Sequence, residues 1–423
     1  MDKIRIQGGK VLRGSVEISG SKNAALPILM STLLTEQECQ FNRVPHLQDI
    51  RTTIKVLAHL GTHATPDFSS HTLKLHTPEI TSFEAPYDLV RTMRASVLVL
   101  GPLLARFGKA KVSLPGGCAI GARPINYHLL GLERLGAKIE LEGGYVIASA
   151  KKLHGNRVAF EFPSVGATEN LMMAAVLADG ETLLENCAKE PEIVDLARVL
   201  RAMGAQIEGE GTEQISIQGK KSLNGCNYHI MGDRIEAATF LAAGFATGGQ
   251  VTVEGVDPES LEAVLVKFEE AGATIVREPT SVSLISNGRP KATNITTLPF
   301  PGFPTDMQAQ FMTVMAVAEG TSLITETIFE NRFMHVSELL RLGADVVIRG
   351  HSAMVHGQKS LQGAPLMATD LRASASLILG GLCAEGETWV SRVYHLDRGY
   401  ENMETKLQKL GAVIERVRSS EEA

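Results

Sequence analysis

The chain has 423 residues, 44% of them hydrophobic, which is enough for two or three domains, each with a full core. Its 41 basic and 47 acidic side chains leave a formal charge of -6, which excludes a general cationic surface for coating nucleic acid or anionic lipid. Any anion it binds must be held locally.

The opening residues, MDKIRIQGGK, are polar, and no stretch approaches the ~20 apolar residues that a membrane span needs. The expectation is a cytoplasmic protein without membrane insertion. Cysteines at 39, 118, 187, 226 and 383 are scattered and form no CxxC pair, so neither a disulfide frame nor a zinc site is signalled. Free thiols are expected.

Along the chain a helical pattern ends in Gly, then a small residue, then an alternating strand: HLGTHAT, RLGAKIEL, AMGAQIEG, EAGATIV, RLGADVVI and KLGAVIER. The glycines, at 61, 136, 204, 272, 343 and 411, are spaced by 68 to 75 residues. Glycine suits the position after a helix because it takes the left-handed conformation without a Cβ penalty, and six such matches at near-constant spacing mark a sixfold repeat. Each repeat has a second helix opening on polar residues, in order SKNAALP, RTMRASV, GATENLM, DRIEAAT, PTDMQAQ and DLRASAS. A strand introduced by Gly follows, as in GETLLEN and GGQVTVEG. Strands alternating with two helices argue for α/β layers.

The last repeat stops at GAVIERVRSSEEA without its hairpin, while IRIQGGKVLRGSVEISG near the start matches ISIQGKKSLNGCNYHIMG, which ends at residue 232. Residues 1–21 are therefore expected to complete the sixth repeat. This gives domain one over 22–232 and domain two over 1–21 and 233–423, three repeats each, with a cleft between them.

Polar residues placed alike in equivalent repeats should converge. The second-helix openings bring Lys22, Asn23, Arg94, Asp233, Arg234, Asp306 and Arg372, and the loops before the first helices bring Cys118, Arg123, Arg332 and Arg398. Helix N-termini with several guanidinium groups suit a small phosphorylated or carboxylated ligand. Taken singly, each Arg or Lys reads as a solvated charge and Asp306 as an ordinary helix-start carboxylate. Cys39, Cys187, Cys226 and Cys383 read as structural. Cys118 differs, because SLPGGCAIGARP suits neither a core strand nor a helix. A thiol there can attack an electrophile or deliver a proton, and neighbouring cations would lower its pKa. His128 lies nearby on the following helix, but no papain-like Cys/His signature is present, and the loop lacks the GK[ST] ending of a phosphate-binding P-loop.

GSKNAALP, TMRAS, SLPGGCAIGARP, EPEIVDL, FPTDMQAQF, ENRFMHV, TDLRASAS and YHLDRGYE together resemble the UDP-N-acetylglucosamine 1-carboxyvinyltransferase family of the EPSP synthase/enolpyruvyl transferase superfamily, across essentially the whole chain. The resemblance implies two inside-out α/β barrels of three repeats each, with the active site in the interdomain cleft. It implies transfer of the enolpyruvyl group of phosphoenolpyruvate to the 3-hydroxyl of UDP-N-acetylglucosamine, releasing phosphate. Lys22, Arg123 and Arg398 would hold the donor phosphate, and Arg332 and Arg372 its carboxylate. Asn23, Arg94, Arg123, Pro124, Ile125, Asn126, Tyr127, Asp306 and Ile328 would contact the nucleotide sugar, with Ser164, Val165 and Gly166 offering backbone contacts and Asp370 also implied at the site. Cys118 matches the proton donor to C3 of the enol, which also forms a covalent phosphoenolpyruvate adduct and reacts with epoxide antibiotics. Asp306 matches the base that takes the hydroxyl proton. No cofactor or metal is implied. The glycines around Cys118 are expected to make its loop a mobile lid that closes against water.

The chain departs from the family pattern at Asn126-Tyr127, where Asp-Leu is usual, and at Phe162-Pro163, where some members carry a lysine. Three alternatives remain: a shikimate-pathway enolpyruvyl transferase, against which the Cys and DMQAQF speak; a catalytically silent nucleotide-sugar-binding regulator, disfavoured by Cys118 with Asp306; and an RNA-end processing enzyme, disfavoured by the charge.

Overall fold

The structure, a computed structural model, describes residues 2–91, 93–114 and 125–418. Cys118, Arg123 and Pro124, and the lid expected around Cys118, lie outside the described residues. All six repeat glycines adopt φ between 83° and 117°, a region that costs other L-residues about 1–2 kcal/mol. At Gly61 there is a second reason for the missing side chain, since a Cβ would lie 2.7 Å from the Glu79 carbonyl oxygen.

The strand after each glycine starts a sheet of fixed plan. In the third repeat Gln206–Glu208 runs antiparallel to Gln214–Gln218, which runs antiparallel to Glu181–Glu185, which runs parallel to Arg157–Ala159. Six four-stranded sheets of this plan occur among the described residues. Alternation buries one face only: in Gln214–Gln218 the inward residues are Ile215 and Ile217.

The two ends of the chain close the rings of sheets. Lys3–Gln7 pairs with both Glu387–Ser391 and Val413–Val417, filling the gap in the sixth sheet. Arg13–Glu17 does not join it; this strand runs parallel to Gln250–Glu254 in the fourth sheet. Residues 2–21, expected to complete the sixth repeat, therefore serve two repeats rather than one. The physical reason is that the outermost strand of each sheet is parallel to its neighbour, and a tight hairpin supplies only antiparallel pairs. Asn227–His229 closes the first sheet against Cys39–Asn42 in the same way.

Contacts divide the chain into two compact domains. Domain one comprises described residues in 20–114 and 125–231, and domain two those in 2–19 and 232–418. Domain one contains the helices α1 (Lys22–Met30), α2 (Leu100–Phe107), α3 (Asn126–Arg134) and α4 (Val165–Ala175). Of these, α1 and α4 are buried almost all round, as a helix wrapped by sheets must be, while α3 buries one side only. Domain two repeats the plan with α5 (Arg234–Ala246), α6 (Gln308–Ala316) and α7 (Leu371–Cys383), each nearly fully buried. Helices inside and sheets outside make each domain an inside-out α/β barrel. Carbonyls beyond the helix C-termini need donors. In domain one Arg106 Nη1 donates to such carbonyls at Leu33 and Thr35, at 3.1 and 2.7 Å, and to that of Thr77 after the strand Thr72–His76 at 3.0 Å; in domain two Arg289 donates to those of Val317 and Ala318 at 2.9 and 2.7 Å. No described helix is long and apolar enough to cross a membrane.

Candidate active site

The polar openings of the core helices become caps. Ser21 accepts from Ala24 N at the start of α1 and Ser164 from Ala167 N at the start of α4. Asp233 accepts from Ile235 N and Glu236 N at α5, and Asp370 from Arg372 N and Ala373 N at α7. Asp370, placed among the binding residues by resemblance, thus has a structural task that orients Arg372.

In domain two the short turn Thr305–Met307 leads into α6 and sets Asp306 between two buried guanidinium groups. Its Oδ1 accepts from Arg332 Nη2 at 2.8 Å and its Oδ2 from Arg372 Nε at 3.2 Å. Arg332 is 6% exposed and Arg372 2%, against 27% for the Asp306 side chain. Burial opposes the Arg372 charge, but Tyr400, Asp306 and Asp233 outweigh it and hold the group charged beyond its ordinary range. Among the described residues, Nη1 of both arginines is buried without a hydrogen-bond partner. These are spare donors in a planar fork, the geometry that takes a second carboxylate.

Three further groups hold this arrangement. Gln310 Nε2 lies 3.0 Å from the Asp306 carbonyl oxygen and 3.1 Å from Tyr400 Oη, which shares a hydrogen bond with Thr239 at 2.9 Å. The Arg372 guanidinium stacks 5.4 Å over the Tyr400 ring. The buried Glu326 accepts from Thr297 and Thr305 hydroxyls, both at 2.9 Å, and from the backbone N–H of Ile328 and Phe329 at 2.8 and 3.2 Å. It ties the turn before Asp306 to the loop that carries Ile328. Arg398 ends the turn Val393–Arg398, half-buried.

In domain one Lys22 is buried at the start of α1, its Nζ 3.5 Å from Asp49 Oδ2, with both side chains at least nine-tenths covered. Asn23 is half-buried beside it, and Arg94 opens the turn Arg94–Val99. Ile125 is buried and Asn126 exposed. Tyr127, at a departure from the family pattern, sets its ring edge-on to Phe160 with centroids 6.3 Å apart. Ser164, Val165 and Gly166 are half-buried at the start of α4.

The structure therefore joins Asp306, Arg332 and Arg372 in domain two, and gives Lys22 a buried carboxylate partner in domain one. Sequence reasoning missed Asp49, Glu326, Gln310 and Tyr400. Asp49 stands in HLQDI and reads as a plain helix-start charge; the one signal for Glu326 is its position two residues before Ile328. Among the described residues no cluster of His, Cys, Asp or Glu could hold a metal ion.

A sequence profile of the EPSP synthase (3-phosphoshikimate 1-carboxyvinyltransferase) family matches residues 6–407. A UDP-N-acetylglucosamine 1-carboxyvinyltransferase of Nitratidesulfovibrio vulgaris is 58% identical over 418 residues, 99% of this chain and 100% of the relative. One of Geobacter metallireducens matches with the same figures. Among solved structures, the enolpyruvyl transferase NikO from Streptomyces tendae superposes with a TM-score of 0.88 at 25% identity, covering 98% of this chain and 99% of that one. An EPSP synthase from Acinetobacter baumannii does so at 0.77 and 20% identity, covering 99% and 100%, and shares the fold. Sequence, repeat plan and fold agree that the chain belongs to the EPSP synthase family of enolpyruvyl transferases, among the UDP-N-acetylglucosamine 1-carboxyvinyltransferases.

Proposed function

We propose that the protein transfers the enolpyruvyl group of phosphoenolpyruvate to the 3-hydroxyl of UDP-N-acetylglucosamine with release of phosphate, the first committed step of peptidoglycan synthesis. The observation that carries this reading is the 58% identity, end to end, with relatives named for that reaction. The Asp306–Arg332–Arg372 arrangement supports it, because the reaction needs a receptor for the donor carboxylate beside a base.

On this reading Cys118 delivers a proton to C3 of the enol, leaving an oxocarbenium-like centre at C2. Asp306 takes the proton of the sugar hydroxyl as its oxygen bonds to C2. The C2–O bond to phosphate then breaks, and loss of a proton from C3 restores the double bond. General acid and base contribute roughly 10² to 10⁴-fold each. Arg332 and Arg372 orient the carboxylate through their spare N–H groups, and Lys22, Arg123 and Arg398 take the phosphate. Arg94, Asn23, Ile328, the Arg123–Tyr127 stretch and Ser164–Gly166 bind the nucleotide sugar. The reading needs no cofactor and carries a cytoplasmic location with it. The test is phosphate release from phosphoenolpyruvate with UDP-N-acetylglucosamine or 3-phosphoshikimate as acceptor. Release with the nucleotide sugar alone is expected; release only with 3-phosphoshikimate overturns the reading.

A further inference from the structure

His128 is buried at the first turn of α3, in direct continuation of Asn126 and Tyr127. Its neighbour Asn170, on α4, is fully buried. The orientation of the Asn170 amide is fixed, because Oδ1 accepts from Gly101 N at 2.8 Å and must be the oxygen. Nδ2 is then the donor, directed to the Val97 carbonyl at 3.3 Å and to His128 Nδ1 at 2.9 Å. His128 Nδ1 therefore accepts, and the imidazole carries its proton on Nε2. That nitrogen faces the start of α4: a Cβ on Gly166 would meet Nε2 and Cε1, both at 3.3 Å. Burial, with the nearby Arg94 charge, pushes the His128 pKa down to about 3, so the ring is neutral.

One buried pair thus links three elements of domain one: α3, which begins with Asn126 and Tyr127; α4, which begins beside Ser164; and the Arg94–Val99 turn with α2. These are the segments that the proposed function assigns to the nucleotide sugar. We propose that His128 and Asn170 form a positioning pair for the acceptor, fixing the Asn126–Tyr127 turn, the Ser164–Gly166 segment and the Arg94 turn relative to one another. The inference rests on the proposed function for its ligand. It does not rest on it for the geometry.

The test compares His128→Leu and His128→Asn in the full-length enzyme. Leucine removes one of the two acceptors of Asn170 Nδ2 and leaves the Val97 carbonyl, whereas the Asn side-chain oxygen can take the place of Nδ1. His128→Leu is expected to raise KM for UDP-N-acetylglucosamine about tenfold or more, the factor that about 1.4 kcal/mol of lost binding represents. KM for phosphoenolpyruvate and kcat should stay within about twofold of wild type, and His128→Asn should restore most of the acceptor KM. Calorimetric binding of UDP-N-acetylglucosamine, which needs no turnover, should weaken in parallel. A merely structural role predicts that kcat and both KM values change together with the melting temperature, or that Asn fails as Leu does; either result overturns the inference, as does unchanged acceptor affinity in the Leu variant. Failure of the wild-type enzyme to use the nucleotide sugar would instead overturn the proposed function.

Discussion

Replacing Asp306 by Ala separates two effects that the geometry places on one carboxylate. Its oxygens accept from Arg332 Nη2 at 2.8 Å and Arg372 Nε at 3.2 Å, and both arginines are buried. Removing one partner of a buried ion pair costs about 3–5 kcal/mol; with the Asp306 side chain 27% exposed, the expected loss of stability is about 3 kcal/mol. The second effect concerns the donor. A carboxylate held by the same two guanidinium groups would sit on the order of 5 Å from that of Asp306, a repulsion of about 3 kcal/mol at an effective dielectric constant of about 20. Loss of Asp306 should therefore leave phosphoenolpyruvate bound as tightly as in wild type, or more tightly. On the proposed mechanism, in which Asp306 is the base, its loss should lower kcat by roughly 10² to 10⁴-fold. The assay is steady-state phosphate release with both substrates varied, beside titration of the melting temperature with phosphoenolpyruvate. A kcat within tenfold of wild type would remove Asp306 as the base, and weakened phosphoenolpyruvate binding would refute the electrostatic argument.

On the proposed mechanism, in which Cys118 is the proton donor, Cys118→Asp should retain turnover, because a carboxylic acid can also donate the proton, and should abolish inactivation by epoxides; mass spectrometry for the adduct and a turnover assay decide it. Arg106→Met leaves the Leu33, Thr35 and Thr77 carbonyls without their shared donor, and unfolding by urea should show a loss of about 3 kcal/mol or more. Two buried histidines contribute a pH dependence of defined sign. His128 is depressed from 6.5 to about 3 and His335 from 6.5 to about 4, each chiefly by burial, so at these two sites the unfolded chain binds more protons than the folded one below pH 6.5. Their contribution to stability is fully present above pH 6.5 and falls by about 1.4 kcal/mol per pH unit per histidine toward pH 4. Urea unfolding of His128→Asn at pH 7 and pH 5 should show about half the histidine-linked loss seen in wild type; an equal loss in both proteins would contradict the assignment.

What could be read in advance, and what could not, follows from the range of each interaction. The repeat glycines were legible because the constraint is local: a helix that ends against a strand needs φ near 100° at one residue, whatever lies across the fold. The capping residues Ser21, Ser164, Asp233 and Asp370 were legible as polar helix openings for the same reason, their hydrogen bonds spanning two or three residues. The arrangement around Asp306 was legible through the repeat and the family resemblance and not locally, since Arg332 is 26 residues away and Arg372 is 66. Residues that hold the site but carry no repeat signature stayed hidden. Asp49 acts on Lys22 across 27 residues, Tyr400 on Gln310 across 90, and Asn170 on His128 across 42. Each has an ordinary local reading, as a helix-start charge, a core aromatic or a polar residue in a buried helix, and only the sheets that wrap α1, α4 and α6 bring it to its partner. The N-terminal strands show the same limit: Lys3–Gln7 and Arg13–Glu17 match one stretch of sequence, yet parallel pairing sends the second to a different sheet, which no local pattern announces.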